Sequence, residues 1–377
     1  MNTINHATVR LIASPKNWIE SEAVRQLYAA AELEGVREVV GLPDLHPGRG
    51  YPVGAAMVTE DVVYPFLVGN DIGCGIGLWK TDLARRKAKL DRWTELRFDL
   101  EHPWEGDVGT FLADAGLPSG QFDPALGTLG GGNHFAELQA VEEIHDCAQF
   151  AQLDLAKDQL VICVHSGSRG FGQSIYRNYV DQHRDKGVSA DSAEGSEYLA
   201  AHDRAVNWAA ANRTLIARRF ASDLGADCVK VVDVAHNSIT ATDANDGDRV
   251  WVHRKGAAAA DRGPILIPGS RGTLSYLIVP TDAVAITAWS VAHGAGRKYT
   301  RSQSRARVRE RFRVSELIQT ALGGRVVCED RDLLYEEAPM AYKKIEVVID
   351  DLVKAGLVQV IASLRPLLTY KTRVIRR

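Results

Sequence analysis

Short apolar runs in this chain repeatedly end in a side chain that can bind a metal, with glycines beside it. Leu160–His165 and Val229–His236 both end in histidine, and Val62–Val68 leads into Gly-Asn-Asp71-Ile-Gly-Cys74-Gly. Continuous apolar runs of this length predict buried strands. Loops at strand ends carry functional side chains on a rigid scaffold. The pattern therefore predicts a fold in which several strands each end at a glycine-containing loop that carries a polar side chain.

The other patterns mix helices and strands without the regular alternation of a Rossmann fold or a barrel. Apolar periodicity distinguishes the helices, and β-branched runs bounded by Gly or Pro distinguish the strands. We therefore expect an α+β fold with mixed β-sheets, in one compact domain that spans residues 1–377. The segments so assigned are helices at 20–33, 193–222 and around 345–352, strands at 37–42 and 357–363, and a loop at 43–48.

Composition excludes several classes of protein. The net charge is −3, so any nucleic-acid surface has to be local. Five cysteines without a close Cys-x-x-Cys pair argue against a disulfide scaffold. No apolar run approaches the roughly 18 residues that a membrane span needs, and residues 1–20 lack the apolar stretch of a signal peptide. We expect a cytoplasmic enzyme with no membrane partner.

Asp71 and Cys74 are the first candidates for a metal site, and three histidines in similar settings join them. His134 follows a glycine loop, and His165 and His236 end apolar runs. A lone histidine of this kind is more often a buried, hydrogen-bonded residue, and a lone cysteine is often inert in a core. Together, the five side chains suffice for two adjacent metals if the thiolate bridges them. Their ligand types suit zinc, manganese or cobalt, and taken alone they favour zinc.

Phosphate-binding signals are present, but they are not of the standard kind. The chain has no GxxxxGK[ST] sequence, which excludes a P-loop. The segment 268–275, Pro-Gly-Ser-Arg-Gly-Thr-Leu-Ser, can offer backbone N–H groups to phosphate, although it also fits an ordinary loop. In His293-Gly-Ala-Gly-Arg297 the glycines leave the imidazole unhindered. His293 is therefore a candidate nucleophile toward a phosphate, and its alternative role is that of a helix cap.

Eight segments, in order along nearly the whole chain, resemble the motifs of the RtcB family of RNA ligases. One such motif would be weak evidence, but eight in register are specific. The matching segments are Asp71-Ile-Gly-Cys74-Gly, Gly130-Gly-Gly-Asn-His134-Phe-Ala-Glu137, Val164-His165-Ser-Gly-Ser-Arg-Gly170, Val234-Ala-His236-Asn237, His253-Arg-Lys-Gly-Ala257, Pro268-Gly-Ser270, His293-Gly-Ala-Gly296 and Glu337-Ala-Pro-Met-Ala-Tyr-Lys343.

The resemblance implies a single RtcB-like domain with mixed β-sheets around a dinuclear metal site. It also implies an activity: joining an RNA 2′,3′-cyclic phosphate or 3′-phosphate end to a 5′-hydroxyl end, with GTP and two Mn²⁺ ions. In this family, His293 would attack the α-phosphorus of GTP to form a guanylyl-histidine. The GMP would pass to the RNA 3′-phosphate and leave when the 5′-hydroxyl attacks.

By motif position, the resemblance also implies a role for each site residue. Cys74 would bridge the two metals, with His134 and His165 completing one and Asp71 and His236 the other. The residues expected to contact the guanine nucleotide are Asn133, His134, Phe135, Ala136, Glu137, His236, Asn237, Pro268, Gly269, Ser270, Arg271, Ser275, His293, Gly294, Ala295, Gly296 and Lys371. The residues expected to contact the RNA backbone are Arg169, Arg254, Lys255 and Arg297, which also fit solvated or structurally paired charges.

Two positions depart from the family pattern. Arg271 stands where the family usually has Met, and Lys371-Thr372 stands where it has Lys-Gly. The chain is also shorter than typical members, which suggests RNA repair, on tRNA or rRNA, with an archease-type activator or a release-factor paralogue as candidate partners. The basic tail 373–377 is a candidate for extra RNA contact.

Two other functions remain open on this evidence. A metal-dependent cyclic phosphodiesterase or phosphatase would use the same metal ligands without ligation, and would not need a nucleotide-carrying His293. A catalytically silent RNA-binding homologue would more often have lost metal ligands.

Overall fold

The structure is a computed structural model that describes residues 7–184, 186–244 and 247–374. The last three residues of the basic tail lie outside this part. The helices are α1 Ser21–Ala31, α2 Leu90–Thr94, α3 Val108–Asp114, α4 Cys147–Gln152, α5 Gly170–His183, α6 Ala193–Asp223, α7 Arg301–Arg311, α8 Val314–Leu317, α9 Arg331–Glu336 and α10 Ile345–Lys354. Short 3-10 segments lie at Pro65–Leu67, Arg85–Lys87, Asp123–Ala125, Asp282–Thr287 and Pro339–Ala341.

The strands group into two large sheets and two small ones. They are β1 Thr8–Leu11, β2 Val36–His46, β3 Val53–Thr59, β4 Val62–Val63, β5 Gly75–Ala84, β6 Phe135–Ile144, β7 Gln159–Ser166, β8 Val188–Ser189, β9 Cys228–Ala235, β10 Asn237–Asp243, β11 Arg249–Lys255, β12 Ala257–Ala259, β13 Ile265–Ile267, β14 Ser275–Pro280, β15 Ser290–Ala292, β16 Arg325–Cys328 and β17 Val358–Thr372. This arrangement confirms the expected α+β class.

The larger sheet has the order β13-β14-β17-β6-β7-β5-β9, and β16 pairs with β17 outside that path. All its pairs are antiparallel except β16 with β17. The first residues of β5 and β6 therefore lie beside the last residues of β7 and β9. Gly75 pairs with both Ser166 and Ala235, and Phe135 pairs with His165. One edge of this sheet thus gathers four chain segments.

The second sheet has the order β1-β2-β3-β11-β10, and the small pair β12–β15 leads into His293. Strand β2 is irregular, because its pairing with β3 shifts between Gly41 and His46. The shifted segment contains Pro43, which has no N–H to donate to a ladder. It carries Asp44, whose carboxylate is buried.

Helix α6 packs on the larger sheet. It begins with Ser192 as N-cap, whose hydroxyl accepts from the Gly195 amide. Ile216 and Phe220 of the helix are buried in one apolar cluster with Trp79, Leu138 and other strand residues. The last part of α6 therefore lies directly behind the strands whose ends form the site.

Several predicted elements agree with the structure, and two predictions are wrong. Residues 20–33 and 193–222 were expected to be helical and contain α1 and most of α6. The predicted strand at 62–68 is limited to two residues, because Pro65 begins a 3-10 segment instead. The predicted loop at 43–48 is largely strand, since β2 continues to His46 through its irregular segment.

Candidate active site

Five side chains that can bind a metal meet at the shared edge of the larger sheet. Cys74 immediately precedes β5, His134 precedes β6, His165 lies near the end of β7, and His236 follows β9. Asp71 lies in the turn before Cys74, where the Cys74 amide donates to the Asp71 carbonyl at 3.1 Å. The antiparallel order of these strands brings the five together, although they span 165 positions in sequence.

Cys74 lies at the centre of this group. Its Sγ lies 3.2 Å from His165 Nε2 and 3.4 Å from His134 Nε2. His134 Nε2 also lies 3.0 Å from an Asp71 carboxylate oxygen. The His134 Nδ1–H donates to the Leu129 carbonyl at 2.9 Å, which leaves the Nε2 lone pair facing the group. This orientation is the one that a metal ligand requires.

The ligands form two overlapping triads. Cys74, His165 and His236 form one, and Asp71, Cys74 and His134 form the other, with ligand atoms within 4.8 Å of one another in each. Cys74 is shared, as the bridging role requires. By distance His134 groups with Asp71 and His165 with His236, whereas motif position puts His134 with His165, so the division between the two cations stays a prediction.

The donor set fits a pair of divalent cations. Asp71 Oδ1 and His236 Nδ1 are buried without a hydrogen-bond partner among the described residues, which is costly unless a cation or ligand satisfies them. Space at Asp71 depends on Gly167, since a Cβ there would lie 2.1 Å from Asp71 Oδ1. One thiolate, three imidazoles and one carboxylate suit zinc, manganese or cobalt.

Burial sets the protonation of these ligands. It lowers the pKa of His165 and His236 well below the usual range, and neighbouring histidines lower it further. Both imidazoles are therefore neutral, which is their ligand form. Burial and the Asp71 carboxylate raise the pKa of the Cys74 thiol. A bound cation reverses that effect and favours the thiolate.

Two consecutive residues of α6 support the loops that carry the ligands. Asn212 accepts from the Gly127 amide at 2.7 Å and donates to the Gly167 carbonyl at 3.1 Å. Arg213 donates to the carbonyls of Gly73 at 2.7 Å and Ser166 at 3.0 Å. Both residues are buried. Helix α6 thereby fixes the peptide units next to Cys74 and His165.

The Arg213 guanidinium also forms a buried ion pair with Asp233. Its Nε lies 2.6 Å from one Asp233 carboxylate oxygen, and a second contact of 3.1 Å completes a bidentate pair. Asp233 is in β9, three residues before His236. One side chain therefore links three of the segments that deliver metal ligands.

His293 continues the row of imidazoles away from the metal ligands. The ring centroids are 5.1 Å apart for His134–His165, 5.1 Å for His165–His236 and 4.6 Å for His236–His293. His293 Nδ1 lies 2.6 Å from an Asp44 carboxylate oxygen, which also accepts from the His293 amide at 3.1 Å. The pair holds the proton on Nδ1 and leaves the Nε2 lone pair free to act as a nucleophile.

A cavity opens beside His293 and is lined by residues from four of the five expected nucleotide segments, since neither His236 nor Asn237 borders it. Gly296 has a φ of +70°, and a Cβ there would lie 2.2 Å from the Asp44 carbonyl, so this position requires glycine. The expected residues that line the cavity are Asn133, Phe135, Glu137, His165, Pro268, Gly269, Ser270, Arg271, His293, Gly294, Ala295, Gly296, Arg297 and Lys371.

Glu137 lies at the polar end of this cavity. Gln139 Nε2 donates to its carboxylate at 2.6 Å, and the Thr369 hydroxyl donates to the other oxygen. Burial raises the pKa of Glu137 to about 7, although these bonds and the charge of Lys371 oppose the shift. Lys371 Nζ is 3.9 Å from Glu337 and 5.9 Å from the centre of the Phe135 ring. A carboxylate and an ammonium thus face the same cavity.

Other expected nucleotide residues lie next to the cavity without lining it. Ala136 is part of the apolar core. Ser275 is buried and accepts from Gln139 at 2.9 Å. Asn237 donates to the Asp71 carbonyl at 3.1 Å and accepts from the Gly256 amide at 2.8 Å, so its side chain supports the metal loop.

Arg271, the departure from the family pattern, is largely buried. Its guanidinium donates to the carbonyls of Leu334 and Glu337, both at 2.9 Å. It therefore fastens the 268–275 loop to the end of α9 while one side borders the cavity.

The four expected RNA contacts fall in different settings. Arg254 is buried, and its donors go to Ser290, Thr240 and Trp289, so almost none of its side chain is accessible to RNA in this structure. Arg297 borders the cavity but donates to Glu337 and to nearby carbonyls. Lys255 donates to the Tyr51 carbonyl at 3.1 Å, and burial lowers its pKa to about 8. Arg169 is half-buried beside Gly130.

Sequence reasoning missed four residues of the site: Asp44, His46, Asn212 and Arg213. Asp44 and His46, the latter lining the cavity, lie in Pro-Asp-Leu-His-Pro, a segment that the sequence pattern predicts only as a loop. The signal that could have found them is the same one that found the metal ligands, namely acid and imidazole side chains at the end of an apolar run. Asn212 and Arg213 lie inside a long helix, where no local pattern distinguishes them.

Comparison with known proteins agrees with this geometry. The family model described as tRNA-splicing ligase RtcB matches residues 26–115 and 117–372. The chain is 44% identical to the RNA-splicing ligase RtcB2 of Escherichia coli, over 96% of this chain and 94% of that protein. It is 30% identical to the tRNA-splicing ligase RtcB of Archaeoglobus fulgidus, over 93% and 91% of the two chains. It is 31% identical to the RNA-splicing ligase RtcB of Mycobacterium tuberculosis, over 91% and 99%. These matches confirm the resemblance: the chain belongs to the RtcB family.

Proposed function

We propose that this protein is a GTP- and manganese-dependent RNA ligase that joins RNA 2′,3′-cyclic phosphate or 3′-phosphate ends to 5′-hydroxyl ends. The observation that carries the proposal is the pairing of His293 with Asp44, 2.6 Å apart, in a cavity next to five metal-ligand side chains. Hydrolysis by water needs no nucleotide-carrying histidine, whereas transfer of GMP through a guanylyl-histidine does.

In the first step, His293 Nε2 attacks the α-phosphorus of GTP, a P–N bond forms, and the bond to pyrophosphate breaks. Asp44 keeps the Nδ1 proton in place and stabilises the positive charge that develops on the ring. The backbone amides of Gly294 to Gly296 border the cavity and are candidates to hold phosphate oxygens. The result is a guanylyl-histidine.

In the second step, an oxygen of the RNA 3′-phosphate displaces His293 and takes the GMP. The 5′-hydroxyl of the other RNA end then attacks the activated 3′-phosphorus, and GMP leaves. A cyclic phosphate would first be opened by water in the same cavity. Two divalent cations would be held by Asp71, Cys74, His134, His165 and His236, where they supply positive charge to stabilise oxyanions at phosphorus.

Recognition of guanine is assigned to the polar end of the cavity. The Glu137 carboxylate is oriented by Gln139 and Thr369 and can accept from the N–H groups of guanine. Lys371 and Ser270 border the same space. Burial raises the pKa of Glu137 to about 7. Because the ionised carboxylate is the form that accepts from guanine, we expect guanine binding to become tighter as the pH rises through that value.

The test is labelling with α-³²P-GTP and Mn²⁺, followed by denaturing electrophoresis. The wild type should retain label, and His293→Ala should retain none. A P–N bond should release the label in acid and keep it in alkali. His102→Ala, which alters an exposed histidine bonded to Asp99, is the matched control and should label normally.

Label on His293→Ala would refute the assignment of the nucleophile. Absence of label on the wild type, with metal bound and a cyclic-phosphate RNA end opened to a monophosphate or dephosphorylated, would favour the phosphodiesterase or phosphatase alternative. Candidate RNA substrates are broken tRNA and rRNA.

A further inference from the structure

Helix α7 is the most basic element of this chain. Residues 301–313 contain six arginines and a single acid, Glu310, in a protein whose net charge is −3. The helix is well anchored: Thr300 and Gln303 form a capping box, and Ser304 and Val308 are buried. Ser304 and Val308 lie on one narrow face of the helix, so most of the arginines lie at the protein surface.

Ion pairs with other side chains of the protein neutralise only some of the arginines of α7. Arg305 lies 2.8 Å from Asp332 and 3.7 Å from Glu336. Arg307, Arg309 and Arg311, which we call the outer arginines, are exposed and form no ion pair within 4.0 Å among the described residues. Three unpaired like charges on two turns repel one another, so a solvated helix would be more stable with some of them replaced. An anionic partner removes that cost.

The helix begins at the proposed active site. Its first residue, Arg301, borders the same cavity as His293, and a Cβ on Gly132 would lie 2.7 Å from the Arg301 guanidinium. From there, eleven residues extend for about 16 Å at 1.5 Å per residue. Arg301, Arg305 and Arg309 follow at four-residue intervals, as do Arg307 and Arg311, so each row places a charge about every 6 Å along the axis.

Aromatic side chains accompany the arginines. The Arg307 guanidinium lies 4.7 Å from the centre of the Tyr299 ring, and Lys298 Nζ lies 5.4 Å from it. Phe312, at the end of the helix, is 40% exposed. Cations with aromatic rings that are at least partly exposed are the combination that suits single-stranded RNA, since phosphates contact the cations and bases stack on the rings.

We propose that the outer arginines of α7 bind the phosphate backbone of the RNA strand whose end occupies the His293 cavity. This inference rests on the proposed function and extends it from the reacting end of the RNA to the nucleotides behind that end. Contacts of this kind supply affinity without reading sequence. They suit a ligase that accepts ends from different broken RNAs.

The test is a triple substitution, Arg307→Gln, Arg309→Gln and Arg311→Gln. Glutamine has nearly the helix propensity of arginine, so α7 should keep its fold. The matched control is Arg86→Gln, Lys87→Gln and Lys89→Gln, which removes the same charge from exposed positions before α2. Binding of a fluorescent 3′-phosphate RNA is measured by anisotropy between low and moderate salt, for strands of about 12 and about 3 nucleotides.

For the longer strand, we expect the α7 variant to lower the magnitude of the slope of log K against log salt by about 2, since each lost contact removes about 0.7 for single strands. The shorter strand should bind both variants and the wild type alike. GTP labelling, which needs no RNA, should be unchanged in both variants.

Equal salt slopes for the α7 variant and its control would overturn the proposal. So would an α7 variant that binds RNA normally but loses binding to an acidic protein. If none of the proteins labels with GTP but RNA binding still falls only in the α7 variant, the RNA surface stands and the ligase function fails.

Discussion

At the scale of single residues, one thiol connects both halves of the candidate metal site. Cys74 belongs to both ligand triads, while Asp71 and His134 belong to one and His165 and His236 to the other. A shared ligand couples the two cations, so loss of the thiol should affect both. Loss of histidines should instead depend on which triad they come from.

Paired histidine substitutions test this division. His165→Ala with His236→Ala empties one triad and leaves Asp71, Cys74 and His134, so we expect about half the metal of the wild type. His134→Ala with His165→Ala damages both triads, so almost none should remain. Metal per chain after dialysis against Mn²⁺ is measured by elemental analysis. The reverse order of the two double variants would support the division that motif order implied.

Asp44 should be important for GTP labelling, because it orients His293, the proposed nucleophile. Asn can occupy the same space, but its amide favours the wrong tautomer of His293. In catalytic triads the corresponding change costs on the order of 10⁴-fold. We expect Asp44→Asn to slow GTP labelling by about 10²- to 10⁴-fold, measured as single-turnover rates, with nucleotide binding nearly unchanged.

Asp351→Asn is the control for Asp44→Asn. Asp351 is also a buried carboxylate, and it accepts from Asn17 at 2.8 Å rather than from a histidine. A similar loss of rate in both variants would mean that disturbed packing, rather than the tautomer of His293, causes the effect.

At the scale of elements, the sequence revealed the strands that end in ligands better than the elements that support them. β7 was predictable because a continuous apolar run ends at His165, and β9 because a valine-rich run, interrupted by Lys230 and Asp233, ends next to His236. The shared edge of the sheet was not predictable in detail, because it depends on pairings such as Gly75 with Ser166 and Ala235. Pro65 ended a predicted strand early, since it has no N–H to donate to a ladder, a signal that the apolar run 62–68 already contained.

Helix α6 was predictable as a helix, but its role in the site was not. Arg213 contacts Gly73, Ser166 and Asp233, which are 140, 47 and 20 positions away. Helical periodicity shows that a residue faces inward, but not which loops it meets. The contact between Asp44 and His293, 249 positions apart, was hidden for the same reason.

Arg213→Met should weaken both the fold and the metal site. Leaving Asp233 buried without its partner costs about 3–5 kcal/mol of unfolding free energy. Loss of a supporting contact behind the ligands should lower metal affinity about 10- to 100-fold. Denaturant unfolding of the metal-free protein and titration with Mn²⁺ measure the two effects separately.

A second variant separates the ion pair from the support of the loops. Arg213→Met with Asp233→Leu removes both charges, and such replacements are often neutral or stabilising. We expect much of the stability to return while metal affinity stays low, because Gly73 and Ser166 still lack their donor. Full recovery of metal affinity would show that Arg213 acts only as the partner of Asp233.

At the scale of the whole molecule, the site forms where distant parts of the chain meet. The larger sheet supplies the metal ligands, β2 of the other sheet supplies Asp44, and the segment after β15 supplies His293. The position of Asp44 against His293 therefore depends on contacts that join these parts.

Among the described residues, no helix combines the length and apolar character that a membrane span requires.

Lys343 contacts both the segment of β2 that carries Asp44 and the loop that follows His293. Its Nζ donates to the carbonyls of Pro43 at 3.1 Å and Leu45 at 2.7 Å, on either side of Asp44. Its own amide donates to the Gly296 carbonyl at 3.0 Å, in the loop that follows His293. We expect Lys343→Met to lower the unfolding free energy by about 1–3 kcal/mol, because two buried carbonyls lose their donor. GTP labelling should slow, since Asp44 is no longer held, whereas Lys344→Met, at the exposed neighbouring position, should change neither quantity.

The effect of Lys343→Met should also depend on pH. Burial lowers the pKa of Lys343 to about 8 from its ordinary 10.5. Between these values the unfolded chain holds a proton that the folded chain has released, so the stability of the wild type relative to Lys343→Met rises with pH across this window. Urea unfolding of the two proteins at intervals from pH 7 to pH 10.5 measures the difference. A difference that stays constant, or that shrinks as the pH rises, would mean that Lys343 is charged in the folded protein throughout, and that the carbonyls of Pro43 and Leu45 fully compensate its burial.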